Sequence, residues 1–166
     1  MTDDISAWQQ PDWVEWTRLM LDSFARLLGQ ELLPRKGAPA DSDALFHADF
    51  VAVAHGTQDD PLLNYGNQTA LSLWQMSLEQ LIGTPSRQTA EPVHREERAR
   101  LLQRTQQDGY IDDYSGIRIS STGRRFRIHR AVVWNVFDDD QVRVGQAATF
   151  SEWEFLEDSP QSADNK

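Results

Sequence analysis

Three long β-rich runs, Tyr110–Ser120, Arg124–Phe137 and Gln141–Phe155, are separated only by Ser121-Thr122-Gly123 and the Asp138–Asp140 run. Connections this short and polar favour antiparallel pairing, because a parallel return needs a crossover of a dozen residues or more. The spacing therefore predicts an antiparallel meander. In the middle run the even positions Phe126, Ile128, Val132, Trp134 and Val136 are apolar, interrupted by Arg130. The odd positions begin with Arg125, Arg127 and His129 and continue as Ala131, Val133, Asn135 and Phe137. Side chains alternate across a strand, so the even face is expected to be core, and the far end of the odd face needs a cover as well.

The region before the meander supplies shorter elements. "FVAVAHG", Phe50 to Gly56, and "LLNYG" read as two brief strands. Asn67 suits the N-cap of a helix through Trp74, its side chain accepting an orphan backbone N–H. Ser77-Leu78-Glu79-Gln80 fits a capping box, and Gly83 is placed to stop that helix. "VHREERARLLQRTQQDG" is a third helix, with Gly109 as its C-cap. The order β-β-α-α-α-β-β-β predicts an α+β fold: a five-stranded antiparallel sheet with short helices over one face.

At the N-terminus Trp13, Trp16, Leu19, Met20, Phe24, Leu27 and Leu28 recur at three- and four-residue intervals. They mark an amphipathic helix over Asp12–Leu33, one of two covers for the second sheet face. A dimer partner is the other. "PRKGAPADSD" reads as a linker and the residues after Glu157 as a disordered tail. The expected organisation is helix and linker over 1–40, a domain over 41–156 and a tail over 157–166.

Charge and composition bound the function. Twenty-six acidic against 16 basic residues give a net charge of −10, against the balance that phosphate-tracking nucleic-acid binders need. Four arginines in "STGRRFRIHR" are a local exception, expected to pair with the chain's own carboxylates. With no cysteine there is no disulfide, thiolate nucleophile or Cys-ligated metal. No apolar stretch approaches the roughly 20 residues that span a bilayer. The acidic start "MTDDISAWQQ" is unlike a secretion signal, so the cytoplasm is the expected compartment.

The element order, with "NYGNQTALSLWQMSLEQLIG" after the first strand, resembles a PAS domain, in which an Asn starts a helix and an "eeliG" turn follows. Those positions are Asn67 and Glu79 to Gly83. Within that superfamily "HGTQDDPLLNYGNQTALSLW", "PSRQTAEPVHREERARLL", "GYIDDYSGIRISSTGRRFRI" and "GQAATF" resemble the MEKHLA domain, over about Leu45 to Phe150. In plants such a domain closes class III homeodomain–leucine-zipper transcription factors, and stand-alone bacterial versions exist. The resemblance implies a non-enzymatic sensory or interaction module, with no catalytic activity to carry over.

It also implies a pocket between sheet and helices. Flavin is one occupant to weigh, since Gly83-Thr84-Pro85-Ser86-Arg87 is similar to the G-x-N-C-R of light-oxygen-voltage domains. Ser86 then stands at the photoreactive Cys, and Arg87 at the phosphate-holding Arg. Counted from Gly123, the flavin-ring asparagines would fall at Arg118 and Ile128. Gln146 directly follows Gly145, which by alternation sends it to the opposite face from that family's Gln. Haem would need an axial ligand such as His94. His47 and His55, about 26 Å apart along an extended strand, cannot share one metal ion.

An anionic ligand fits the residue types better. By the family's parity Tyr114, Arg118, Arg130 and Trp134 point inward, with Ser86 and Arg87 opposite. Converging guanidiniums suit a carboxylate or phosphate. The alternative is an internal salt bridge, with Asp112 or Glu91 as counter-ion. Ser115 lacks a His and an acid around it, so no hydrolase triad forms. The expectation is thus a sensory module with a small-molecule ligand and no cofactor, flavin or haem being the alternative. It self-associates as a homodimer through its N-terminal helix, without nucleic acid or membrane as partner.

Overall fold

A computed structural model describes residues 6–89 and 95–156. Glu91, His94 and the 157–166 tail lie outside the described residues. Strands β1 (Val51–His55), β2 (Leu63–Gly66), β3 (Tyr110–Ile119), β4 (Arg125–Phe137) and β5 (Arg143–Phe150) form one sheet in the order β2-β1-β5-β4-β3. Every pairing is antiparallel. The run expected as a single strand over Gln141–Phe155 breaks at Ser151, and its second part, β6 (Glu152–Phe155), pairs with the first half of β4.

The expected alternation along β4 fails at one residue. Arg130 adopts φ 55, the left-handed region that non-glycine residues rarely enter. Ile128 lies opposite Gly116 but Ala131 opposite Tyr114, so β4 carries one extra residue there: a β-bulge. On the other side Arg130 falls opposite the break at Ser151, so β4 keeps its register with β5 and β6 while both strands kink together. Every side chain after the bulge changes face. Phe126 and Ile128 join the core under the short helices, but so do Ala131 and Val133, whereas Trp134 and Val136 pack on the opposite side.

That opposite side is covered by α1 (Pro11–Leu28), which begins with Pro at its first position and ends at Gly29, φ 76. Met20, Leu21 and Phe24 pack fully buried against Ala52, Ala54, Tyr65, Trp134, Val136 and Ala147. Each such apolar side chain contributes about 1.5–3 kcal/mol of transfer free energy. Gly145 permits the close approach: a Cβ there would stand 2.7 Å from the Trp16 ring and 2.5 Å from the His55 carbonyl. The cover is thus supplied by the chain's own helix.

The segment read as a linker is half helix. α2 (Ala38–Phe46) starts inside it, with Pro near its first position. Asp41, in its first turn, accepts from the Lys36 N–H and from Arg35 Nε, both at 2.7 Å. Pro and Asp suit a linker and a helix N-terminus equally, which is why composition misread it. The expected boundary at residue 40 falls within this helix.

On the concave face lie α3 (Gln68–Trp74), α4 (Leu78–Leu81), a single 3₁₀ turn at Ser86–Thr89 and α5 (Arg95–Asp108). Asn67 caps α3 and does more. Its Oδ1 accepts from the N–H groups of Ala70 and Ala52, and its Nδ2 donates to the carbonyls of Leu45 and Phe50. The chain turns at this residue because one amide side chain joins helix, strand and the end of α2. Ser77 and Gln80 form the expected capping box, and the Gly109 N–H closes α5 on Thr105.

Candidate functional site

Between the concave face and these helices lies a cavity of about 70 Å³. It is partly open to solvent. Its walls are mainly apolar, including Val53, Leu63, Ile128, Val133, Ala148 and Phe150. Polar groups reach it from Ser86, Thr89, Tyr114, Arg118, His55 and Gln146.

Arg118 sets its electrostatics. β3 carries Tyr114, Gly116 and Arg118 at i, i+2 and i+4, all on the concave face. A Cβ at Gly116 would stand 2.2 Å from the Tyr114 hydroxyl, so the glycine leaves room for the tyrosine ring to lie along the strand. That ring reaches Arg118, whose guanidinium carbon is 5.1 Å from its centroid. Arg118 is only 8% exposed, and its Nη1 donates to the Ile117 carbonyl at 3.3 Å. Among the described residues no carboxylate pairs with it. Asp112, one proposed counter-ion, is exposed. A buried cation is costly unless paired, and the cavity is one place where an anion would meet Arg118.

Three of the six residues expected at this site meet there: Ser86, Tyr114 and Arg118. Arg87 is exposed and donates from Nε to both oxygens of Asp60 at 3.1 Å, outside the cavity. Arg130 is exposed at the bulge. Trp134 sits under α1, its Nε1 donating to the Met20 carbonyl and its ring edge-on to Phe24. The last two departures have one cause: family parity was counted through a strand that changes parity at Arg130.

Gln146 is corrected in the opposite direction. It lies opposite His55 and Asn135 in register and lines the cavity. Its Nε2 donates to Asn135 Oδ1, which also accepts from Arg143 Nε, while Asn135 Nδ2 donates to the Thr105 carbonyl. Burial pushes the Arg143 guanidinium pKa down. His55, expected not to share a metal ion with His47, is buried in the wall with Nδ1 on the Gly56 carbonyl, so Nδ1 carries the proton. Only strand register places these side chains together, and no local motif announced them.

An antiparallel sheet of this order, with short helices enclosing a cavity on its concave face, defines a PAS-like domain. The fold is similar to the PAS domain of a protein from Colwellia psychrerythraea, with TM-score 0.60 and 15% identity over 70% of this chain and 94% of that one. It is also similar to a light-oxygen-voltage domain studied with a flavin analogue, with TM-score 0.56 and 15% identity over 71% and 85% of the two chains. A family model for the MEKHLA domain matches residues 14–155, and the chain belongs to that family. Among curated proteins it is 24% identical to homeobox-leucine zipper protein ATHB-9 of Arabidopsis thaliana over 152 residues, which are 88% of this chain and 18% of that protein. It is 28% identical to ATHB-14 of the same plant over 100 residues, 60% of this chain and 12% of that protein. The chain therefore spans under a fifth of the length of these relatives.

The light-oxygen-voltage neighbours make flavin worth testing against the residues present, and the fit fails. Arg87 is engaged by Asp60 outside the cavity, and Arg118 and Ile128 occupy the positions implied for ring-binding asparagines. Among the described residues no helix is long and apolar enough to cross a membrane.

Proposed function

We propose that this chain is a sensory module that takes a small anionic ligand in its cavity and works by occupancy, without turnover. The observation that carries this reading is Arg118, a buried guanidinium lining a partly open, mainly apolar pocket with no carboxylate partner among the described residues. The PAS-like fold and MEKHLA membership support a signalling rather than a catalytic use. A path outward exists in the sheet: Val133 and Ala148 line the cavity, while their strand neighbours Trp134 and Ala147 pack under α1. Filling the cavity would then bias how α1 docks.

Self-association needs a different surface from the one the apolar pattern suggested, because α1 already covers the outer face. We infer that any homodimer pairs through another surface, and light scattering checks the oligomeric state directly. Native mass spectrometry of gently purified protein tests the ligand. The expected result is an adduct of low mass that is absent from Arg118→Met. Bare chain from every preparation, with no stabilisation by any added anion, would overturn the reading.

A further inference from the structure

Resting on the anion-site reading above, the geometry points to a narrower class of ligand: a compact monocarboxylate with an uncharged, apolar body. Each feature of the lining removes a competing class. Arg118 is the only cationic side chain among the described lining residues, so one negative charge is matched and a second is not. A guanidinium also meets the two oxygens of a carboxylate through parallel N–H donors. Dicarboxylates and the phosphate dianion would each bring a second charge against a mainly apolar lining.

The described lining contains no Asp or Glu, so the ammonium of a free amino acid would find no counter-ion. Neutral analogues would bring Arg118 no counter-charge, and none of the described residues supplies one. Away from Arg118 the walls are Val53, Leu63, Ile128, Val133 and Phe150, which suit a hydrocarbon body. The small volume of the pocket, about 70 Å³, favours a compact ligand body. Tyr114 has a defined part in this arrangement. Its ring lies against the Arg118 guanidinium and restricts the directions from which an anion can approach.

Isothermal titration of the full chain with a matched series tests the class. The probes are 3-methylbutanoate, its amide, valine, succinate and inorganic phosphate. Valine differs from the first probe only by an ammonium group, and the amide only by the loss of charge. The expected result is that 3-methylbutanoate binds at least tenfold more tightly than each of the other four. Arg118→Met is expected to weaken it at least tenfold, and Arg118→Lys to fall between. If phosphate or succinate binds through Arg118 and 3-methylbutanoate does not, the class is wrong while the anion site stands. Equal binding of valine or the amide likewise overturns the class. If no anion in the series binds, or binding ignores Arg118 in both variants, the class and the anion site fail together. The comparison among probes uses wild-type protein, so it survives even if a variant fails to fold.

Discussion

The indole Nε1 of Trp134 donates to the main-chain oxygen of Met20 at 3.0 Å, fastening the centre of β4 to the centre of α1 across 114 positions of sequence. Trp134 is fully buried, with Phe24 edge-on at 4.9 Å. Trp134→Phe should cost about 1–2 kcal/mol, chiefly the hydrogen bond, and Trp134→Ala about 3–5 kcal/mol, in urea titrations. Deleting the chain before Asp41 removes α1 altogether and uncovers Trp134, Val136 and Ala54. The expected product is aggregated or unfolded by circular dichroism. A soluble, folded remainder would show that α1 is dispensable to the core.

Asn67 uses both ends of its amide in four hydrogen bonds and has no exposed surface. Asn67→Ala leaves two main-chain N–H groups and two carbonyls short of a partner, at about 3 kcal/mol or more. Asn67→Asp should rescue little, because a carboxylate oxygen would then face the carbonyls of Leu45 and Phe50. Thermal melts of the two variants against wild type check the ranking. Near-native stability of Asn67→Asp would contradict it.

Tyr114 lies over Gly116 with no space for a methyl group. Gly116→Ala should destabilise the chain by about 1–3 kcal/mol through overpacking. In a Tyr114→Ala background the same change should cost little, because the obstructing ring is gone. The double-mutant cycle reads the coupling directly. Additive costs would mean that the glycine serves the backbone and not the tyrosine.

Asp41 supplies an acid-sensitive contribution. Burial alone pushes its carboxyl pKa up, but the Arg35 guanidinium and the Lys36 N–H more than offset this and hold it below the ordinary 3.8. A lowered folded value means the contribution is complete above the ordinary value and is lost as pH falls through the folded one. Wild type should therefore exceed Asp41→Asn by about 1–3 kcal/mol at neutral pH. That gap should close below 3.8. Urea midpoints of both proteins across the acid range measure it, and a gap independent of pH would assign the effect to shape instead of charge.

Most of the architecture could be read locally. Ser77 with Gln80, Asn67 before its helix, Gly109 after α5 and the two polar turns of the meander each satisfy backbone groups within a few residues. Their signals therefore stand in the sequence itself. The "PRKGAPADSD" segment was ambiguous for the same local reason, since its Pro and Asp serve a helix start as readily as a linker.

The site was legible only in part. Tyr114 and Arg118 follow from strand alternation along β3, and Ser86 from the short motif Gly83–Arg87. Gln146 faces the cavity through its register with His55 and Asn135, which its spacing from Gly145 does not show. Trp134 and Arg130 were misplaced because facing depends on a bulge at Arg130, and a bulge is a property of paired strands. Its extra residue is accommodated by Ser115 on one neighbour and Ser151 on the other, which no single strand's pattern records. Periodic burial and capping thus set the elements from nearest neighbours along the chain. Which side of the sheet each residue serves was settled across strands, where hydrogen-bond register outweighs the apolar alternation of any one of them.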